Sequence, residues 1–117
     1  MTGMQDAMKE QVPYADFSKL DIRIGTVLAA ELVPETDKLI KCTIDFGELG
    51  HRTIVSGIAQ WKSPDELVGK QLPYVVNLVP RMLRGIESQG MLLAASDGNG
   101  VALLKSERPL PPGTPLR

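Results

Sequence analysis

The chain has 117 residues, a formal net charge of −1, one cysteine and one histidine. This length predicts a single domain with its own core. The lone Cys42 excludes an internal disulfide, and together with the lone His51 it argues against a Cys-rich zinc site or a His-based triad. Neither an apolar leader after a basic start nor a run of eighteen apolar residues is present, so we expect a cytoplasmic protein that does not contact a membrane.

The charged residues are distributed unevenly. Residues 1–37 carry three Lys/Arg against seven Asp/Glu, residues 38–84 carry seven against four, and residues 85–117 carry three against three. The net charge argues against a bulk cationic binder of nucleic acid. The basic excess in the middle of the chain nevertheless permits a local cationic face.

Residues 1–16 are predicted to be an N-terminal extension. Methionines recur there at helical spacing, at Met1, Met4 and Met8. This spacing predicts one or two turns of amphipathic helix over residues 1–10. So short a helix is marginal in water, so it either packs at a dimer interface or frays.

The first strand is predicted to contain a bulge. Ile22 and Ile24 alternate with polar residues until Gly25 interrupts the pattern. Val27 and Ala29 then continue on the opposite parity. A glycine within a strand indicates a bulge or a sharp bend. A small closed barrel needs such a bent first strand to serve two parts of its sheet.

Alternating apolar residues predict further strands at residues 40–46, 51–55, about 70–79, 91–95 and 101–105. Turn signals separate some of these strands, at residues 47–50 and 96–100. The proline-rich tail, residues 108–117, is predicted to be either a loose end or an extended segment laid on a partner.

A short helix is predicted between the third and fourth strands. Ser63 is placed as N-cap, Pro64 occupies the first helical position, Glu66 completes a capping box, and Gly69 ends the helix. The resulting order predicts an all-β protein, namely an OB-fold. This is a five-stranded Greek-key barrel with a short helix between strands 3 and 4, here with small terminal extensions. In that fold the face of strands 2 and 3 and the loops after strands 1 and 4 bind oligonucleotides.

The stretch from residue 77 to residue 91 concentrates special backbone, cations and small polar groups. Pro80 cannot donate to a sheet ladder and so ends the fourth strand. Arg81 and Arg84 offer planar, permanently charged forks suited to phosphate and to stacking on bases. Asn77 and Ser88 both donate and accept hydrogen bonds, which suits sugar or base edges.

Four cations are predicted to fall on one rim of the barrel: Lys38, Lys41, Arg81 and Arg84. For each of them an ordinary solvated charge is the alternative interpretation. Phe46 and Tyr74 are predicted to point inward, and Tyr14 and Phe17 precede the barrel, which leaves Trp61 as the one plausible exposed aromatic platform. This scarcity disfavours a general coat for single-stranded DNA. It favours recognition of a shaped RNA through phosphates and 2′-hydroxyls.

Several motifs together resemble the tRNA-binding domain family, at residues 21–25 (DIRIG), 37–39 (DKL), 44–47 (IDFG), 55–58 (VSGI), 67–70 (LVGK), 77–78 (NL), 80–81 (PR) and 84–95 (RGIESQGMLLAA). That family includes stand-alone tRNA-binding proteins, the C-terminal extension of methionyl-tRNA synthetases, endothelial-monocyte-activating domains and the chaperone CsaA. The resemblance implies a tRNA-binding domain over residues 17–117.

The resemblance also implies a set of tRNA contacts: Asn77, Arg81, Arg84, Ser88 and Met91, with Lys38 opposite. Met91 has a second interpretation, as core at the start of an apolar strand. Many relatives have a Lys-Met or Lys-Leu pair before the second arginine region, whereas this chain reads Arg81, Met82, Leu83, Arg84, so one cation is missing. Stand-alone members are similar in being homodimers, which implies a homodimer here.

The hypothesis from these patterns is a non-catalytic tRNA-binding protein. It is either free-standing or an auxiliary or C-terminal module of a methionyl-tRNA synthetase. The alternative is a CsaA-like, export-related chaperone for unfolded polypeptide, which residues 44–50 (IDFGELG) and the PPGT near the C-terminus resemble. Walker-type loops, paired carboxylates and nucleophile–base constellations are missing from the sequence. We therefore expect no enzymatic activity, no cofactor and no metal.

Overall fold

The computed structural model describes residues 7–117. In chain order its elements are α1 (Tyr14–Phe17), β1 (Ile22–Leu32), β2 (Ile40–Asp45), a 3-10 turn (Gly47–Leu49), β3 (His51–Ser56), α2 (Pro64–Leu67), β4 (Gln71–Val75), β5 (Arg81–Leu83), β6 (Ile86–Ser88), β7 (Met91–Leu92), β8 (Ala94–Asp97) and β9 (Gly100–Leu103).

Five strands form an antiparallel sheet in the order β3-β2-β1-β4-β7. β3 also contacts β6 and β7, so the sheet nearly closes into a barrel. The alternating apolar residues of β2 fill its interior, where Phe46 meets Tyr74 edge-on with ring centroids 5.5 Å apart. α2 lies between β3 and β4, and the Glu66 carboxylate accepts a hydrogen bond from the Ser63 N–H at 3.3 Å, as a capping box requires. The predicted OB-fold is confirmed.

The bulge in β1 lies three residues beyond its predicted position. β1 pairs with β2 in register up to Val27 and resumes two residues later, so Leu28 is the extra residue. Gly25 instead faces the core, where a Cβ atom would collide with the side chains of Ile44 and Phe46. The glycine therefore permits close packing across the barrel rather than a bend.

The proline-rich tail is not a loose end, because it lies extended on its own chain. It runs along the free edge of β1: the Ile24 N–H donates to the Thr114 carbonyl at 2.8 Å, and the Gly113 N–H donates to the Ile24 carbonyl at 2.7 Å. The Leu116 N–H donates to the Ile22 carbonyl at 2.8 Å. Residues between the prolines supply the donors that proline lacks, so the tail completes its own barrel.

The helix predicted over residues 1–10 is not present at residues 7–10, and the rest of it lies outside the described residues. Helix α1 follows Pro13 instead, with Pro13 in the N-cap position. Within residues 7–117, no helix combines the length and the hydropathy that crossing a membrane requires.

Two strand predictions were too long. β4 ends at Val75: the Val76 N–H still donates to the Asp21 carbonyl at 2.8 Å, but the Asp21 N–H donates to the Asn77 side chain, so the pairing with β1 goes no further. Leu78, which lies within the predicted strand, is beyond β4 and exposed. The strand predicted at residues 91–95 divides into β7, which pairs with β4, and β8, which forms a separate hairpin with β9.

Candidate nucleic-acid interface

The segment after β4 is a β-hairpin rather than a simple turn. β5 and β6 pair antiparallel, from Arg81 opposite Ser88 to Leu83 opposite Ile86. The two residues at the tip, Arg84 and Gly85, have φ of 51° and 80°. Consecutive residues with positive φ are typical of the tight turn that matches the twist of a two-residue hairpin. The hairpin thus places one arginine at its base and the other at its tip.

Ser88 anchors this hairpin to the barrel. Its hydroxyl accepts a hydrogen bond from the Val55 N–H at 2.9 Å and donates to the Gly90 carbonyl at 3.3 Å. The residue is only 4% exposed. Ser88, which the sequence suggests as an RNA contact, therefore lies beneath the surface with its hydroxyl occupied.

Arg52 and Gln89 also anchor the hairpin, and the sequence analysis missed both. The Gln89 N–H donates to the Thr53 carbonyl at 2.8 Å, and the Gln89 side-chain oxygen accepts from the Thr53 N–H at 3.0 Å. The Arg52 guanidinium donates to the carbonyls of Val76 and Gln89. A signal existed: Arg52 pairs with Ile44 and so occupies an inward parity, where a charge needs partners.

Asn77 secures the other end of the segment. Its side-chain oxygen accepts from the Asp21 N–H at 2.8 Å, and its side-chain nitrogen donates to the Lys19 carbonyl at 2.7 Å. Both ends of the amide are thus used within the chain. The hairpin is consequently fixed where it leaves β4 and where it returns at Ser88.

An open groove of about 420 Å³ lies beside the hairpin, lined by Leu39, Val55, Ser56, Gly57, Ile58, Arg81, Leu83, Met91, Leu92, Ala94, Ala95, Ser96 and Val101. Met91 is 45% exposed there, whereas its neighbour Leu92 packs against the core, so Met91 belongs to the surface. The loop carrying Lys38 is tied to the same rim, because the Lys38 carbonyl accepts from the Ala59 N–H at 3.0 Å.

The predicted cations differ in their surroundings. Lys41 stands on the outer face of β2 with its ammonium 3.6 Å from the Glu31 carboxylate, so its charge is partly neutralised. In the portion of the chain that the structure describes, Lys38, Arg81 and Arg84 have no carboxylate within 4.0 Å. The structure thus brings Arg81, Met91 and the Lys38 loop to one groove. Arg84 projects from the hairpin tip, and Lys41 lies outside the groove lining.

A nearly closed five-stranded barrel that presents such a groove and hairpin defines an OB-fold binding module. A family model described as "Putative tRNA binding domain" matches residues 22–115. The chain belongs to this family, as its motifs suggested.

Relatives and solved structures agree with this membership. The chain is 58% identical over 91 residues to a methionine–tRNA ligase of Porphyromonas gingivalis, a match that covers 78% of this chain and 13% of that protein. It thus spans only about an eighth of the length of that relative. A MetRS related protein from Pyrococcus horikoshii has a TM-score of 0.87 at 41% identity, covering 93% of this chain and all of its own. The chaperone CsaA from Bacillus anthracis has a TM-score of 0.84 at 36% identity, covering 92% and 100%.

Proposed function

We propose that this chain binds tRNA and catalyses no reaction itself. The observation that carries the proposal is the β5–β6 hairpin: Arg81 and Arg84 have no acidic partner among residues 7–117 and are held on a doubly anchored support beside an open groove. Guanidinium groups fixed in this way match phosphate oxygens through paired hydrogen bonds. When such contacts are held at a fixed spacing, they favour an RNA whose phosphates have the matching spacing.

The other predicted site residues take different roles in this proposal. Lys38 adds a third cation from the facing loop, and Met91 offers an apolar contact for a sugar or base. Asn77 and Ser88 position the hairpin from below. Lys41 contributes to tRNA binding only where a phosphate competes with the Glu31 carboxylate for the Lys41 ammonium.

The names of the relatives support a role beside methionyl-tRNA synthesis in the cytoplasm. On this proposal the chain is a tRNA-holding module, either free-standing or joined to a synthetase, that raises the local concentration of tRNA. A module of modest affinity suffices for this, because tethering turns a second binding event into an intramolecular one.

We also propose that the chain is a homodimer. Several apolar side chains of the N-terminal segment are exposed: Met8, Val12, Tyr14 and Phe17. A second copy that covers them would remove this apolar surface from water. Sedimentation equilibrium of the wild type and of a Tyr14→Ser/Phe17→Ser double variant tests this. A monomeric wild type at micromolar concentration contradicts the proposal.

The second candidate function is a CsaA-like chaperone, which the structural likeness to CsaA favours. Two exposed apolar residues, Val79 just before the hairpin and Met82 within β5, would then contact unfolded polypeptide. The two functions differ in the surface they need, because a tRNA binder depends on the arginines and a chaperone on apolar contacts.

Binding to bulk tRNA and to single-stranded DNA of equal length, each at several salt concentrations, tests the main proposal. We expect preferential tRNA binding and a steep salt dependence. Arg81→Ala and Arg84→Ala should each reduce the log–log salt slope by about 1. Lys105→Ala removes an exposed cation outside the groove and should leave the slope unchanged. DNA binding that equals tRNA binding and ignores both arginine variants contradicts the proposal, and suppression of aggregation of an unfolded protein then favours the chaperone.

A further inference from the structure

The groove does not end at the β5–β6 hairpin. Three of its lining residues, Ala95, Ser96 and Val101, also line a shallow depression of about 300 Å³ on the β8–β9 hairpin. Trp61 adjoins this depression through Gly100, one of the lining residues. A Cβ at Gly100 would lie 2.6 Å from Cδ1 of the indole, so the ring rests directly on the glycine backbone. The surface thus continues from Arg81 to Trp61.

Trp61 is held firmly although it is 48% exposed. Its backbone N–H donates to the Ile58 carbonyl at 3.0 Å, and the Lys62 backbone N–H donates to the same carbonyl at 2.9 Å. Ile58 itself is buried in the core, so this turn is fixed to the barrel. An indole that rests on Gly100 and is half exposed is a suitable platform for another flat ring.

The polar groups around the depression differ from those at the β5–β6 hairpin. Asp97 and Asn99 line it, and the Asp97 carboxylate accepts a hydrogen bond from the Asn99 N–H at 2.8 Å. Lys62, the cation next to Trp61 in sequence, has its ammonium 3.9 Å from the Glu66 carboxylate. Among residues 7–117, no Lys or Arg nitrogen lies within 4.0 Å of the Asp97 carboxylate, and such a carboxylate repels phosphate. It instead accepts hydrogen bonds from the amino group of a base.

From this arrangement we infer that Trp61, Asp97 and Asn99 form a subsite for an unpaired nucleobase. The base stacks on the open side of the indole and directs an exocyclic amino group to Asp97 or Asn99. This inference rests on the proposed tRNA binding. It assigns two kinds of contact to one surface: Arg81 binds phosphate at one end, and Trp61 binds a base at the other. A base within a duplex has both faces covered by its neighbours, so the subsite requires a single-stranded part of the RNA.

The chain has one tryptophan, so its fluorescence reports on this subsite alone. The wild type is titrated with bulk tRNA while the bound fraction is measured in parallel by filter retention. We expect quenched emission and reduced access to acrylamide, both saturating at the same tRNA concentration as retention. A blunt RNA duplex of equal length binds through its phosphates and should leave the emission unchanged.

Variants of Trp61 distinguish the contribution of base stacking to tRNA affinity from that of phosphate contacts. Trp61→Leu should weaken tRNA binding by about 5- to 150-fold, since one base–aromatic stack contributes about 1–3 kcal/mol. It should do so without changing the salt slope, because no phosphate contact is lost. Trp61→Phe should restore most of the affinity. Leu104→Ala, which removes an exposed apolar side chain outside both depressions, is the matched control.

Two results overturn the inference while leaving the proposed function intact. One is retention of tRNA on the filter with Trp61 emission and acrylamide quenching unchanged. The other is an equal change of emission with the blunt duplex. Absence of tRNA retention at every salt concentration refutes both the proposed function and the inference. An emission change with unfolded polypeptide but not with tRNA assigns Trp61 to the chaperone function instead.

Discussion

Replacing Ser88 by alanine tests whether this serine supports the hairpin or contacts RNA. The change removes the acceptor of the Val55 N–H, which then stays buried without a partner. Leaving one buried donor unsatisfied costs about 1–3 kcal/mol. The longer bond to the Gly90 carbonyl contributes less. For a chain of this length, 1 kcal/mol corresponds to about 4 °C in melting temperature, so we expect a decrease of about 4–12 °C.

Urea unfolding at 25 °C measures this loss directly, as a lower midpoint with an unchanged slope m. Ser96→Ala is the matched control for stability alone, because Ser96 is exposed on β8 but lines the groove. Well below its melting temperature the Ser88→Ala protein keeps both arginines, so its tRNA affinity should stay close to that of the wild type. Wild-type stability together with a large loss of affinity would refute this reasoning and return Ser88 to the contact surface.

Three further variants test the core and the tail. Gly25→Ala should cost about 1–3 kcal/mol of unfolding free energy by overpacking against Phe46, whereas Gly98→Ala, which faces open space, should cost less; equal urea midpoints would contradict this. Burial raises the pKa of the Cys42 thiol from its usual 9.0 to about 11, so the unfolded chain ionises first and stability should fall as pH rises from about 9 to 11, by up to about 1.4 kcal/mol per pH unit. The Cys42→Ala protein should lose this contribution to the pH dependence of stability, as measured by urea unfolding across this range. The buried Tyr74, whose pKa is also raised by burial, still contributes its own pH dependence in that variant. Deleting residues 113–117 removes three backbone hydrogen bonds to β1 and should cost about 2–4 kcal/mol, again by urea unfolding; an unchanged midpoint would show that the tail does not stabilise the barrel.

Local patterns were sufficient to predict most of the barrel. The strict alternation along β2 made Cys42 and Phe46 inward residues, and both are buried. The Ser63–Glu66 capping box marked α2 correctly. These features depend on neighbours within a few residues, which a single sequence displays directly.

Features that depend on distant partners were not predictable in this way. Ser88 and Asn77 carry small polar side chains that suit either an RNA or a backbone partner, and their partners lie 33 and 56 residues away in sequence. The β5–β6 hairpin was missed because its turn begins with Arg84, whereas asparagine or aspartate is the usual signal at that position. The tail was misjudged because its prolines reveal nothing about which strand edge needs covering.

The tail on β1 has a consequence for how the chain folds during synthesis. The Arg23 guanidinium donates to the Gly113 carbonyl across 90 positions of sequence, and the surrounding backbone bonds span similar separations. The first strand of the barrel is therefore translated about 90 positions before the segment that covers its edge. Until then its edge can pair with another chain, and contacts of such long range form slowly. When many copies of this chain are translated close together, intermolecular pairing through the β1 edge is thus favoured. This pairing is blocked once residues 113–116 lie along the edge of β1.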